Sequence, residues 1–146
     1  MPDLYQNIDQ KKTIDHTKQF LKEFHVWKVE SARFHSWLTA SEYETTNEYS
    51  EKNKNISLPA AARARFECDL RIKTIQQLRS LGEKSAMYAD LLEFRYIKEW
   101  SVVKVCDQLA SKYQLGYMAE RTYSNYLIKA LWEFSIICPR NLMVER

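Results

Sequence analysis

Between Ile14 and Leu38 the apolar positions Ile14, Leu21, Phe24, Trp27, Phe34 and Leu38 recur at helical spacing with Lys and Glu between them. That pattern predicts one amphipathic helix of roughly seven turns whose aromatic face needs a partner. From Thr39 to Ser57 the periodicity stops, and the stretch is rich in Ser, Thr, Asn and Glu and poor in aliphatics, which suits a solvated linker. It resumes after Ser57, a candidate N-cap, with Pro59 near the first turn, where its missing N–H costs little. In the run that follows, Phe66, Leu70, Ile75, Leu78 and Leu81 fall along one side and Arg63, Arg71 and Arg79 largely away from it, with a stop near Gly82. Ser85 is a plausible cap for the next helix, over Met87 to Ile97. Ser101 is the cap for another, from Val102, after an interruption at Trp100.

The last third of the chain carries the most information. Two helix-compatible runs are separated by a short break around Gly116, and the second begins near Ala119 or Glu120. Tyr123, Leu127, Ala130, Leu131 and Phe134 lie on one helical stripe and anchor it to a core, which turns Arg121, Ser124, Asn125 and Ile128 or Lys129 toward solvent. A bracing helix, a tight turn with Gly and a second helix with polar side chains facing out is what a DNA-reading helix-turn-helix needs. On that reading Arg121 pairs with a guanine edge, Asn125 with an adenine, and Ser124 lies beside them. Lys104, Lys112, Thr122 and Lys129 suit phosphate. The same pattern also describes the solvated face of an ordinary surface helix, and periodicity does not separate the two.

Composition adds the fold class. With only 2 Gly and 3 Pro in 146 residues, the chain lacks the punctuation that many turns demand, so it reads as all-α. The expected organisation is an N-terminal helical segment over 1–39, a polar linker over 40–57 and a helical domain over 58–146, with the helix-turn-helix at about 101–134. A formal net charge of +3 permits contact with a polyanion without arguing for it. Cys68, Cys106 and Cys138 are odd in number and far apart, so no disulfide framework or CxxC pair can be drawn, and reduced thiols are expected. The polar start has no apolar signal region and no window is long enough to span a bilayer, which points to a cytoplasmic, soluble protein. His16, His25 and His35 are too far apart for a paired metal site on one helix. Trp27, Trp37, Trp100 and Trp132 could stack on single-stranded bases, but aromatics at helical spacing more often build a core. No Ser-His-Asp, Cys-His or Gly-rich phosphate motif is visible, so neither an enzyme nor a cofactor is expected.

The run from Arg95 to Phe134 resembles the ArpU family of phage transcriptional regulators, which are similar in turn to region four of sigma factors. Arg95, Tyr96 and Ile97 match the opening of the family pattern, Ser101 the polar start of the next helix, and Gly116 and Tyr117 the turn. Glu120, Arg121, Thr122 and Tyr123 match the start of the recognition helix, and Ala130, Leu131 and Phe134 its packed end. Two departures stand out. ASKYQL intervenes between Leu109 and Gly116, which lengthens the supporting helix or the turn. Met118 and Ala119 replace a single Ser, which removes the usual capping hydroxyl at a cost of about 1 kcal/mol. Ser124, Asn125 and Leu127 also differ from the Tyr, Arg and Lys common there, so the recognised sequence need not be a relative's. The resemblance implies activation of late phage genes for packaging, structure or lysis in a bacterial host, with promoter DNA held next to RNA polymerase. A homo-oligomer fits the modest charge.

A reading from a different class treats the chain as a helical adaptor. Its N-terminal helix would then bind a protein partner or a second copy through Trp27, Phe34, Trp37 and Leu38.

Overall fold

A computed structural model describes residues 4–41 and 57–146, the side chains of 34–41 and 57–59 excepted. The described chain is all-α. Its elements are α1 (Gln10–Lys22), α2 (Phe24–Ser41), α3 (Ser57–Arg79), α4 (Glu83–Leu92), a π-helical turn (Glu93–Ile97), α5 (Val102–Lys112) and α6 (Glu120–Ile137). Among the described residues there is no strand, only one antiparallel bridge between Ile8 and Glu145. None of the described helices is long and apolar enough to cross a membrane. The expected Thr39 to Ser57 linker lies mostly outside the described residues.

The contacts divide the chain into two units. One comprises Met1–Lys22 with Ile72–Arg146, and the other Glu23–Arg71. This corrects two expectations. The seven-turn helix is broken at Glu23 into α1 and α2, and the 1–39 segment is not one body, because α1 packs with the C-terminal helices.

In the first unit, α6 is the central element, with α1 and α4 packed along it and α5 against α4 and α6. Leu21, Leu78, Leu91, Leu92, Leu109, Leu131 and Phe134 are fully buried there and form the core. The place of α1 is set by polar contacts as well as by Phe20 and Leu21. The buried Thr17 hydroxyl donates to the Thr13 carbonyl, and the Thr13 hydroxyl accepts from the Val144 N–H at 2.9 Å. The last residues return along the start of the chain, where the Asp9 N–H donates to the Val144 carbonyl at 2.7 Å and the Arg146 N–H to the Asn7 carbonyl at 2.9 Å. Backbone groups that would need water are thus satisfied between the two ends of the chain. Asp9 also closes the first turn of α1 by accepting from the Lys12 N–H.

The second unit holds α2 and the first part of α3. The stripe expected on α3 is not the one that is buried. Ile75 and Leu78 are inside, but Phe66 and Leu81 are exposed and Leu70 is half-buried, while Ala61, Ala64, Glu67, Arg71 and Thr74 are buried. Arg71, expected on the solvent side, is 0% exposed. Its guanidinium donates to the Glu67 carboxylate at 2.9 Å and the Glu67 carbonyl at 2.8 Å, with Glu23 at 3.5 Å. A paired, hydrogen-bonded charge can be buried where a lone one cannot. Arg63 lies over the Trp27 ring, 5.2 Å from its centroid.

Near Gly82 the expectation holds in part. α3 ends at Arg79, and Gly82, with φ 152°, is itself the N-cap of α4. Ser85 is therefore not a cap. It lies within α4 and its hydroxyl donates to the Glu133 carboxylate at 2.7 Å.

Candidate nucleic-acid interface

α4 ends in the π-helical turn, where the Lys98 N–H reaches back to the Glu93 carbonyl at 2.9 Å and the Trp100 N–H to the Phe94 carbonyl at 3.0 Å. Glu99 takes a positive φ of 58° to reverse the chain. Ser101 then caps α5 as expected, its hydroxyl accepting from the Lys104 N–H at 3.2 Å. Phe94 and Trp100 stack beneath with centroids 4.7 Å apart, and the Lys104 ammonium sits 4.3 Å from the Trp100 ring centre.

α5 buries Val105, Cys106, Leu109 and Ala110 on one face. It does not run on to Gly116. The Leu115 N–H donates to the Ala110 carbonyl and the Gln114 N–H to the Ser111 carbonyl, with Gln114 at φ 55°, which is the bonding pattern of a Schellman stop with Gln in the place glycine usually takes. α5 thus ends at Lys112, and Tyr113 to Leu115 open a connection that passes Gly116 (φ 78°) before α6. That connection is longer than the three to four residues of the simplest helix-turn-helix. Met118 is buried and Tyr117 is 80% exposed, so the loop is pinned on one side and presents an aromatic ring on the other. Ala119 is the N-cap and makes no side-chain cap bond.

α6 begins at Glu120. Tyr123, Ala130, Leu131 and Phe134 are buried and Leu127 is half-buried, which is the stripe read from spacing. The opposite face of its first turns carries Arg121 and Asn125, and Ser124 lies at the flank, all exposed, with Ile128 and Lys129 exposed beyond them and Thr122 half-buried.

Lys112 departs from its expected role. Its ammonium lies 2.6 Å from the Asp90 carboxylate, which is buried and also accepts from the Tyr113 hydroxyl and, at 3.0 Å, from Arg79. Burial pushes the Asp90 carboxyl up, but hydrogen bonds from Lys112, Tyr113 and Arg79 together hold it below the usual carboxylate range. Lys112 thus ties the end of α5 to α4 and its charge is already matched. Tyr113 is pushed up by burial and by its bond to Asp90, so it stays a neutral donor.

Lys18, Lys22 and Arg95 were not singled out from the sequence. They line a cavity of about 230 Å³ with Tyr123 and Ser124, walled by Tyr96, Val102 and Leu127. The signal available was the i, i+4 spacing of Lys18 and Lys22. Arg95 was read only as part of a motif, and no local pattern places it beside α1.

Of the adaptor face, Trp27 is half-buried, and the side chains of Phe34, Trp37 and Leu38 lie outside those described. His16 and His25 are exposed, with His16 Nδ1 3.1 Å from the Leu142 carbonyl, and His35 lies outside the described side chains. Among the described residues no group of His, Cys, Asp or Glu is placed to hold a metal ion. Cys106 and Cys138 are buried and Cys68 is half-buried, none of them in a disulfide. No family profile, curated protein or solved structure matches this chain.

Proposed function

We propose that this chain is a sequence-specific, double-stranded DNA-binding transcriptional regulator that reads the major groove with the first turns of α6 and catalyses no reaction. The observation that carries the reading is the division of α6. Tyr123 is locked into the core while Arg121 and Asn125 stand exposed on the face opposite it and Ser124 is exposed at its flank, directly after a helix and a turn. A guanidinium and a carboxamide in the first two turns suit bidentate contacts to guanine and adenine. Thr122, Lys104 and Lys129 are the flanking phosphate contacts. Lys112 is withdrawn from that set, because its ammonium is held by Asp90. The resemblance of Arg95 to Phe134 to the ArpU family adds the biological setting, activation of late phage genes with host RNA polymerase as a neighbour at the promoter.

The test is fluorescence anisotropy with promoter-proximal duplex from the chain's own genomic neighbourhood against scrambled duplex, at low and near-physiological salt. The native duplex should bind more tightly and keep its advantage at the higher salt. Arg121→Ala and Asn125→Ala should each lose about 1–3 kcal/mol of discrimination at one base pair while helicity and melting temperature stay unchanged. Equal preference in wild type and both variants would remove α6 as the reader.

A protein partner on α2 is the second reading. It is favoured by Val26 and Val29, which leave 59% and 50% of their surface exposed one helical turn apart. Under that reading, Val26→Asp with Val29→Asp lowers the oligomer mass in light scattering and leaves duplex binding as it was.

A further inference from the structure

The cavity between α1, the π-helical turn and α6 has a chemistry of its own. Lys18 and Lys22 stand one turn apart on α1, an arrangement of like charges that destabilises a helix unless something offsets it. Arg95 is held at the wall because its Nη1 donates to the Trp100 carbonyl at 3.0 Å, which leaves other guanidinium N–H groups to point elsewhere. No Asp or Glu is among the residues lining the cavity, so three cations converge without a carboxylate in the lining. The independent observation is Tyr123. It is only 4% exposed, lines the same cavity, and its hydroxyl is buried without a hydrogen-bond partner. Such orphaned groups are rare in folded proteins and call for an absent partner. Burial pushes the Tyr123 phenol up and keeps it protonated, hence a donor, while Arg95 draws it down by its charge and by donating toward the phenol oxygen, a contact outside ordinary hydrogen-bond geometry that leaves the phenol proton without an acceptor. Ser124 adds a second hydroxyl. What is missing is a small, acceptor-rich anion.

We propose that this cavity is a phosphate-binding site in which Lys18, Lys22 and Arg95 supply the charge and the hydroxyls of Tyr123 and Ser124 supply directed donors. At about 230 Å³ it lies below the roughly 300–1,000 Å³ of sites for whole small molecules, which suits a single phosphate group. Arginine and lysine together are the usual partners of such a group. The phosphate is either a backbone phosphodiester of bound duplex or a free phosphate. The site rests on the DNA reading only for the first of these sources. If the source is duplex, Ser124 is a phosphate contact at the edge of the reading face and the base contacts narrow to Arg121 and Asn125.

The experiment follows backbone amide resonances of the full-length chain at constant ionic strength. Sodium phosphate replaces chloride in one arm, and promoter-proximal duplex is added in the other. Wild type is compared with Lys18→Gln/Lys22→Gln, whose side chains are outside the core, and with Tyr123→Phe, which removes only the orphaned hydroxyl. Saturable shifts at Lys22 and Ser124 are expected, weakened several-fold in Tyr123→Phe and lost in the double variant, with the melting temperature of the double variant unchanged or raised. Lysine-dependent shifts with duplex identify the backbone as the source. Lysine-dependent shifts with inorganic phosphate, and duplex binding that is absent or indifferent to the lysines, identify a free phosphate and leave the cavity assignment standing apart from the DNA reading. No saturable shift with either probe, or equal shifts in wild type and the double variant, overturns the site.

Discussion

Asp90 is 2% exposed and yet ionised, because Arg79, Lys112 and Tyr113 all donate to it. It joins the end of α3, the last turn of α4 and the end of α5 at one carboxylate. Asp90→Asn is expected to cost about 2 kcal/mol in urea denaturation, toward the low end for a broken buried pair because Arg79 and Lys112 still reach water. The pH dependence has a definite sign. The folded pKa is depressed, so this stabilisation is fully present above the unfolded carboxylate range and is lost as pH falls through the lower folded value. The acid limb of stability against pH should therefore be shallower in Asp90→Asn than in wild type, and an identical limb would refute the assignment. Arg71 makes the same point more severely. Arg71→Met strands the Glu67 carboxylate in a buried position and is expected to cost about 3–5 kcal/mol, whereas Glu67→Gln with Arg71→Met recovers much of that loss. Neither residue was legible as buried. Spacing set Arg71 among the solvent-facing arginines, since hydrophobic periodicity counts a charge as outside and cannot see the partner that lets it in.

At the level of elements, helix ends were easier to read from hydroxyls than from glycines. Ser101 was identified correctly because its side chain bonds locally, to the Lys104 N–H. Ser85 looked equivalent in sequence, but Gly82 starts α4 first and leaves Ser85 free to bond Glu133 on α6. Gly116 drew attention as the break, while the residue that stops α5 is Gln114, which bears its positive φ at a cost glycine would avoid. Gln114→Gly is expected to raise stability by about 0.5 kcal/mol, the relief of the left-handed conformation less the added freedom of the unfolded chain. Ala119→Ser supplies the absent cap of α6 and should add about 1 kcal/mol. Thermal melts of the two single variants and their combination check both, and a fall in melting temperature in either would count against the backbone described for that turn.

For the whole molecule, the proposed DNA contact is an electrostatic question as well as a geometric one. A net charge of +3 gives little long-range attraction, so binding depends on where cations are left unmatched. Lys104→Gln and Lys129→Gln should each reduce the slope of log affinity against log salt by about 1 without changing sequence preference, and Lys112→Gln should act through stability instead. Equal slopes in all three variants would show that these lysines do not touch phosphate. The sequence by itself determined the all-α class, the start of α5 at Ser101, the start of α6 and which face of α6 goes inside, because each follows from local bonding or from a strong 3.6-residue repeat. Only the tertiary structure decided that α1 parts from α2 at Glu23 and joins the C-terminal helices, that Arg71 and Asp90 are buried, that Lys112 is engaged, and that Lys18, Lys22 and Arg95 meet beside Tyr123. Periodicity reports the preference of each position for water or core, but which buried charge is neutralised, and which cations converge, depends on partners tens of residues away in the chain.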